Sequence, residues 1–373
     1  MSRRVLVLTA ALLAPLPLSG QLVVNDLVVT GGVAGEDYSG NLTAITIAVV
    51  DSTQDASAAV GEFTGLLDAT YFFDQTHRLA LTLDVGLRQF AAMGFKVRDY
   101  APREWVGRVD AVYSQALSSW GSLAVHGGYK GRAVSDRPPM PLFLQPGYNQ
   151  YRGGATLGVG RGLVRLDVGV QGQIDSYRSL EFAPQVDVLD VLDRRAAGVE
   201  VGVEVAQPLK NWTLRIFGAL EGSQYRNQPS FDETDPFRRD HTIRTGAQWT
   251  YVGGVIAVVG LEGTLNRSNS ARPEYNAASL RGELTAPLPW DLSVTLFGIV
   301  TSKDYLFETE FVRLVPGEEA DNASVAYITL ARPLAPNLDG RLRLGWTRAE
   351  TDIGDSYYER YGVTLLFDFR PVL

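Results

Sequence analysis

Residues 163–175, LVRLDVGVQGQID, alternate apolar and polar side chains. Val164, Leu166, Val168, Val170 and Ile174 make one set. Arg165, Asp167, Gln171, Gln173 and Asp175 make the other. Successive side chains of a strand point to opposite faces, so this segment has one apolar face and one hydrated face. The pattern recurs in about a dozen other segments, with almost no helix-period stretch between them. A single such strand suits a soluble core. A whole chain of them predicts a sheet closed into a tube, with a water-filled lumen and an apolar exterior.

The same phase can be followed along the chain. Leu79, Leu81, Leu83, Val85 and Leu87 alternate with Ala80, Thr82, Asp84, Gly86 and Arg88. Val199, Val201, Val203 and Val205 alternate with Glu200, Gly202, Glu204 and Ala206. Trp212, Leu214, Ile216 and Leu220 oppose Thr213, Arg215 and Glu221, and Phe217 breaks the pattern. Ile243, Ala247, Trp249 and Tyr251 oppose Arg244, Gly246, Gln248 and Thr250. Short connections near residues 74–77, 118–121, 160–162, 208–211, 252–254, 287–291 and 335–340 alternate with longer ones near 93–103, 133–148, 180–193, 227–240 and 307–322. Short turns on one rim and long loops on the other mark a transmembrane barrel. The expected architecture is therefore an all-β, antiparallel up-and-down barrel of about sixteen strands, fourteen if one weak pair is wrong. The first strand is expected over residues 27–39, with residues 41–50 the competing choice. Aromatic residues near strand ends (Tyr71, Phe72, Phe73, Trp105, Tyr148, Tyr151, Trp212, Trp249, Tyr251, Trp290, Tyr357 and Tyr358) predict girdles at the two membrane interfaces.

The chain has 373 residues, 38 glycines and no cysteine. The absence of cysteine excludes a disulfide scaffold and a thiolate metal site. A net charge of -8 argues against nucleic acid as a partner. Mean hydropathy is near zero, and no run of about 18 apolar residues occurs outside the N-terminus, which argues against a helical membrane protein. Arg3 and Arg4, an apolar run over residues 5–18, and Ser19-Gly20 read as a secretory signal peptide over residues 1–20. The remainder, 21–373, reads as one barrel domain, exported to the outer membrane.

Residues 361–369, YGVTLLFDF, resemble the terminal strand signal of Gram-negative outer-membrane barrel proteins. Gly362, Leu365, Phe367 and Phe369 carry the resemblance, and residues 37–41, DYSGN, look like the first-strand region of single-barrel outer-membrane proteins. Many such proteins end on Phe, whereas Arg370-Pro371-Val372-Leu373 follow here. The resemblance implies a barrel of porin-like size, recognition by the barrel-assembly machinery, and contact with outer-membrane lipid and lipopolysaccharide. No named porin family matches, no long constriction loop is evident, and the oligomeric state is not legible.

Catalytic candidates are few. Of the three histidines, His77 falls in a turn, His241 borders a loop, and only His126 takes an inward position. No spacing pairs it with a Ser or Asp for hydrolysis, and no two histidines suit a metal. Gly158, Gly160 and Gly162 read as a tight turn, because a phosphate cradle needs a following helix. Glu318, Glu319 and Asp321, with Asp232, Glu233 and Asp235, form acidic loop clusters able to hold divalent ions. No cofactor is implied.

The inward charges are the more useful constellation. Asp84, Arg88, Arg108, Asp110, Lys130, Arg152, Arg165, Asp167, Asp175, Glu200, Glu204, Arg215, Glu221, Arg244, Glu262, Arg281, Glu283, Arg341 and Arg343 are expected to line the pore. An apolar core would not tolerate so many ionised groups, each costing several kcal/mol to desolvate unless paired. The expected function is a passive channel for small hydrophilic solutes. The competing readings are a surface-interaction barrel with a blocked lumen, a barrel-borne hydrolase, and a soluble sandwich or propeller.

Overall fold

The computed structural model describes residues 20–40, 56–92, 103–135, 147–177, 193–207, 210–231, 235–270, 274–306, 324–350 and 357–371. They form sixteen strands and no α-helix. The first eight are β1 (Gln21–Gly40), β2 (Ala56–Phe72), β3 (His77–Ala92), β4 (Arg103–Ala116), β5 (Gly121–Ser135), β6 (Tyr148–Arg161), β7 (Val164–Tyr177) and β8 (Arg194–Gln207). The second eight are β9 (Trp212–Pro229), β10 (Phe237–Val252), β11 (Ile256–Ser268), β12 (Tyr275–Leu288), β13 (Leu292–Tyr305), β14 (Ser324–Ala335), β15 (Leu338–Glu350) and β16 (Tyr357–Phe369). Each pairs antiparallel with its sequence neighbours, and β16 returns to β1 from Val29↔Phe369 to Gly40↔Tyr358. Closure leaves no unpaired strand edge.

β1 begins earlier than residue 27 because it carries a bulge. Gln21 to Val24 pair with Phe72 to Ala69, the register shifts between Val24 and Asp26, and Asn25 falls at the shift. Leu22 and Val24 are exposed at even positions, whereas Val33 is exposed at an odd one. The bulge flips the alternation, so a period-two reading loses the strand there. Asn25 Nδ2 donates to Asp68 Oδ1 (2.8 Å) and Thr70 Oγ1 (2.9 Å), which replaces the lost ladder contacts.

The outer face is apolar and exposed. Val164, Leu166, Val168, Val170 and Ile174 all point outward on β7, and the same holds for Val199, Leu220, Ile243, Leu261 and Val300 on later strands. In water such a surface would aggregate. In hydrocarbon each large side chain gains about 1.5–3 kcal/mol relative to water exposure. The short-turn rim carries Tyr71, Phe73 and Tyr113 in edge-to-face contact, with Trp249 stacked on Tyr251 at 6.2 Å. The opposite rim carries Trp105, Tyr129, Tyr151, Trp346 and Tyr361 on the outer face. Tyr148 is a correction to the girdle reading: it points inward opposite Arg132, and Lys130 Nζ lies 5.6 Å from its ring.

Phe217 is the other departure from simple alternation. Its ring faces inward across Gly246, where a Cβ would lie 2.7 Å from it. Glycine on β10 makes the room that an aromatic on β9 needs. Tight turns follow ordinary chemistry. Gly162 (φ 66°) closes β6 to β7, and Trp290 and Asp291 (φ 64° and 57°) are consecutive left-handed residues between β12 and β13. In the β2–β3 turn, Asp74 Oδ1 accepts from the amides of Thr76 (2.7 Å) and His77 (2.8 Å), and Oδ2 contacts His77 Nδ1 at 2.8 Å. The His77 side chain, then Thr76, holds the Asp74 carboxyl well below the usual carboxylate range.

Candidate functional site: the charged inner wall

Inward side chains fall into rows that cross the strands. Asp84, Arg108, Lys130, Gln150, Asp175, Arg194 and Tyr225 are successive cross-strand partners from β3 to β9. Arg165, Glu204, Arg215 and Gln248 form another such run across β7 to β10. Opposite charges in adjacent inward positions therefore arise in two ways, two residues apart on one strand, as Arg165 and Asp167, and across strands by register, as Arg194 and Asp175.

The structure places all the predicted inward charges on this face. Arg108 and Arg152 both engage Asp110. Arg165 Nε lies 2.8 Å from Asp167, and Arg215 engages Glu200. Arg281 reaches Glu283 at 3.4 Å, and Arg341 reaches Asp368 at 2.5 Å. Arg194 bridges Asp175 (3.0 Å) and Glu221 (3.6 Å). Arg343 Nε donates to Thr329 Oγ1 at 3.3 Å, and its guanidinium lies 4.8 Å from the Tyr327 ring, with no carboxylate partner among the described residues. Tyr327 stacks on Phe297 at 4.6 Å, and Arg281 lies 5.3 Å from the Phe297 ring. The register sets Arg244 opposite Ala219 and Thr264, and Glu262 opposite Gly246 and Ser279; neither joins an ion pair among the described residues.

The wall divides into two regimes. Arg108, Arg165 and Arg281 are 49%, 51% and 51% exposed, although they point into the barrel. Toward the long-connection end, charges are packed instead. Arg88 contacts Glu36 (2.6 Å), Glu62 (2.8 Å) and Glu104 (3.7 Å), Arg132 contacts Glu104 (2.6 Å), and Arg360 contacts Glu36 (3.7 Å). Three carboxylates and three guanidiniums balance over six strands. The side chains of Glu36, Glu104 and Arg132 are each only 7% exposed. Beside them Ala34, Ala58, Val60 and Phe90 form a buried apolar cluster, with Arg88 4.9 Å from the Phe90 ring. A second packed site joins Arg238 and Asp240 (2.6 Å), with Arg238 4.0 Å from the Tyr225 ring and Asn266 donating to Asp240 at 3.3 Å.

In the open part of the lumen a cavity of about 460 Å³ is lined by Arg108, Asp110, His126, Arg152, Gln171 and Glu221 among others. His126 sits against Gly154 in this wall. Among the described residues no hydroxyl or carboxylate orients its ring for hydrolysis, and no three metal-ligating side chains gather.

Glu36, Glu62, Glu104, Arg132, Arg194, Arg238, Asp240, Arg360 and Asp368 belong to the wall but were missed from sequence. All lie on the inward phase of their strands, so extending the alternation to the strand ends finds them. Their packing is set by cross-strand register, which has no local signal. The acidic residues Asp232, Glu233, Glu318, Glu319 and Asp321 lie outside the described residues, as do residues 41–50, residues 1–19 of the expected signal peptide, and most of the long connections apart from that between β9 and β10, of which only residues 232–234 lie outside. Asp235 is described and pairs with Arg239 at 3.0 Å. In β16, Leu365, Phe367 and Phe369 face outward and exposed, and Gly362 faces inward opposite Gly345 and Glu36.

No protein-family model matches the chain. No characterised protein matches it in sequence. Several solved structures are similar to it at low sequence identity. Pseudomonas aeruginosa OccK2 (OpdF) is 13% identical, covering 93% of this chain and 98% of that one, with a TM-score of 0.39. A double variant of OccD1 (OprD) is 10% identical over 94% and 97%, with a TM-score of 0.43. Salmonella typhi OmpF, in complex with daunomycin, is 11% identical over 93% and 98%, with a TM-score of 0.42. With TM-scores below 0.5, none of these carries a functional reading.

Proposed function

We propose that this chain is an outer-membrane barrel that passes small hydrophilic solutes by diffusion through its charged lumen. The observation that carries the reading is the half-exposed state of inward guanidiniums at mid-barrel: Arg108, Arg152, Arg165, Arg215 and Arg281 keep 43–51% of their side-chain surface accessible. An ionised group inside a tube keeps that exposure only where water reaches it. The predicted inward charges are then the pore lining, and the cation–aromatic wall on β12 to β15 biases ion passage. The leader exports the chain, the β16 pattern is read during assembly, and the apolar belt sits in lipid.

Planar-bilayer recording on the purified, refolded chain tests the proposal. Stepwise conductance is expected; a silent barrel that is fully inserted would overturn it. Arg343→Glu sharpens the test, because Arg343 holds no carboxylate among the described residues. A change of two charge units about 8 Å from a passing ion alters its energy by about 1 kcal/mol in water. The cation gains and the anion loses about that much, so the cation-to-anion permeability ratio should rise by up to about 30-fold. An unchanged reversal potential would remove Arg343 from the conduction path. Arg341→Glu is the poorer probe, since it also breaks the pair with Asp368.

The buried ion clusters at the long-connection end favour a second reading, a barrel closed at that end that presents only its surface. Liposome swelling separates the two: a closed barrel admits neither small sugars nor amino acids.

A further inference from the structure

The outer rim at the long-connection end is uneven. On β4 to β6 it carries Trp105, Tyr129 and Tyr151, and on β15 and β16 it carries Trp346 and Tyr361. On β8 to β11 the outward rim positions are instead Arg195, Gln224, Arg239, His241 and Arg267. Arg195 pairs with Gln224 across β8 and β9, Gln224 with Arg239 across β9 and β10, and His241 with Arg267 across β10 and β11. Arg195, Arg239 and Arg267 are all exposed.

Among the described residues the carboxylates at this edge are Asp193, Asp235 and Glu274; Asp232 and Glu233 of the β9–β10 connection lie outside them. Asp235 holds Arg239, which stays 55% exposed, and Glu274 accepts from the Ser268 amide at 3.0 Å. Arg267 donates to the Asn266 and Tyr275 carbonyls and to Asn276 Oδ1, and forms no ion pair among the described residues. Arg195 forms none either among the described residues. Gly172, Ala197 and Gly222 continue in register into His241 and Arg267, and the next outward row toward the membrane centre is the exposed apolar run of Val170, Val199, Leu220, Ile243 and Leu265.

We propose that this patch docks a phosphate-bearing lipid of the outer leaflet, with its phosphates on Arg195, Arg239 and Arg267 and its acyl chains along the apolar row beneath. Charge complementarity selects the occupant. Aromatic rims sit at the headgroup boundary without choosing a charge, whereas guanidiniums form charge-assisted hydrogen bonds with phosphate. The small residues Gly172, Ala197 and Gly222 leave a shallow surface where a chain can lie close to the wall. The inference rests on the barrel being membrane-embedded, not on its conducting.

Native mass spectrometry of the full refolded barrel in detergent tests it. The probes are bis-phosphorylated lipid A, its dephosphorylated form, and inorganic phosphate. Retention of the phosphorylated lipid alone is expected. The triple variant Arg195→Gln, Arg239→Gln, Arg267→Gln should weaken that retention by about 100-fold, at roughly five-fold per guanidinium near an anionic headgroup. Heat-modifiable migration confirms that the variant is folded, and Arg103→Gln, outside the patch, should leave retention unchanged. Equal retention of the dephosphorylated lipid, comparable binding of inorganic phosphate, or a triple variant that binds as before would each overturn the proposal. So would a variant that retains lipid but changes from oligomer to monomer, which would make the patch a contact between copies. A barrel that fails to conduct but still selects the phosphorylated lipid would sink the channel reading alone.

Discussion

Replacing Arg88 with leucine is expected to lower the unfolding free energy of the barrel by about 3–5 kcal/mol. Arg88 is the hub of the packed inner cluster, within 4 Å of Glu36, Glu62 and Glu104 on three different strands. Without it, Glu62 loses its 2.8 Å ion pair, Glu36 loses its 2.6 Å ion pair while the one with Arg360 is longer at 3.7 Å, and Glu104 still faces Arg132. The carboxylates are too buried for water to compensate. Arg88→Lys restores the charge, but one ammonium cannot span three carboxylates in the geometry of the guanidinium fork, so an intermediate loss is expected. Urea unfolding in lipid vesicles, followed by tryptophan fluorescence, measures both. A loss below about 1 kcal/mol for Arg88→Leu would mean that the cluster is solvated like a surface ion pair.

Gly32→Val is expected to destabilise the closing seam of the barrel. Gly32 lies on β1 opposite Leu366 of β16, and a Cβ built there would fall 2.1 Å from the Leu365 carbonyl oxygen. That oxygen belongs to the ladder that closes the sheet, so relief requires moving backbone. Overpacking of this kind costs about 1–3 kcal/mol, occasionally more. Here the cost falls on the pairing that closes the barrel, so a larger fraction of chain should remain unfolded after refolding, read as loss of the heat-modifiable band. Gly31→Val is the control. Its Cβ would meet nothing within 4 Å, and it should fold at close to the parent yield.

Much of this architecture is legible in sequence because a membrane barrel uses one rule throughout. The two faces of each strand meet two different solvents, so alternation survives wherever the strand is regular. The strand count, the alternation of short and long connections, and the inward position of Arg165, Glu200 or Arg281 all follow from it. The rule fails where the backbone departs from regularity or a neighbour makes an exception. The bulge at Asn25 inverts the phase and hides the start of β1. Phe217 turns inward because Gly246, across the ladder, leaves room for it. Position near a strand end suggests a membrane anchor for Tyr148, but the phase of β6 sets it on the inner wall opposite Arg132.

The candidate site was only half legible, for a related reason. Sequence assigns a charge to the inner face. It pairs neighbours two residues apart, such as Arg165 with Asp167, but not charges on different strands. Glu36 and Arg88 are far apart in the chain, as are Arg341 and Asp368, and they are joined by the stagger of the ladder around the barrel. Residue type and local period, acting within about ten residues, thus decide strand, face and solvent. Register and closure are long-range properties, summed over sixteen pairings, and they decide which guanidinium finds a carboxylate, which stays open to water, and that the packed cluster gathers at one end of the lumen. They also decide that Arg195, Arg239 and Arg267 share the outer rim of β8 to β11.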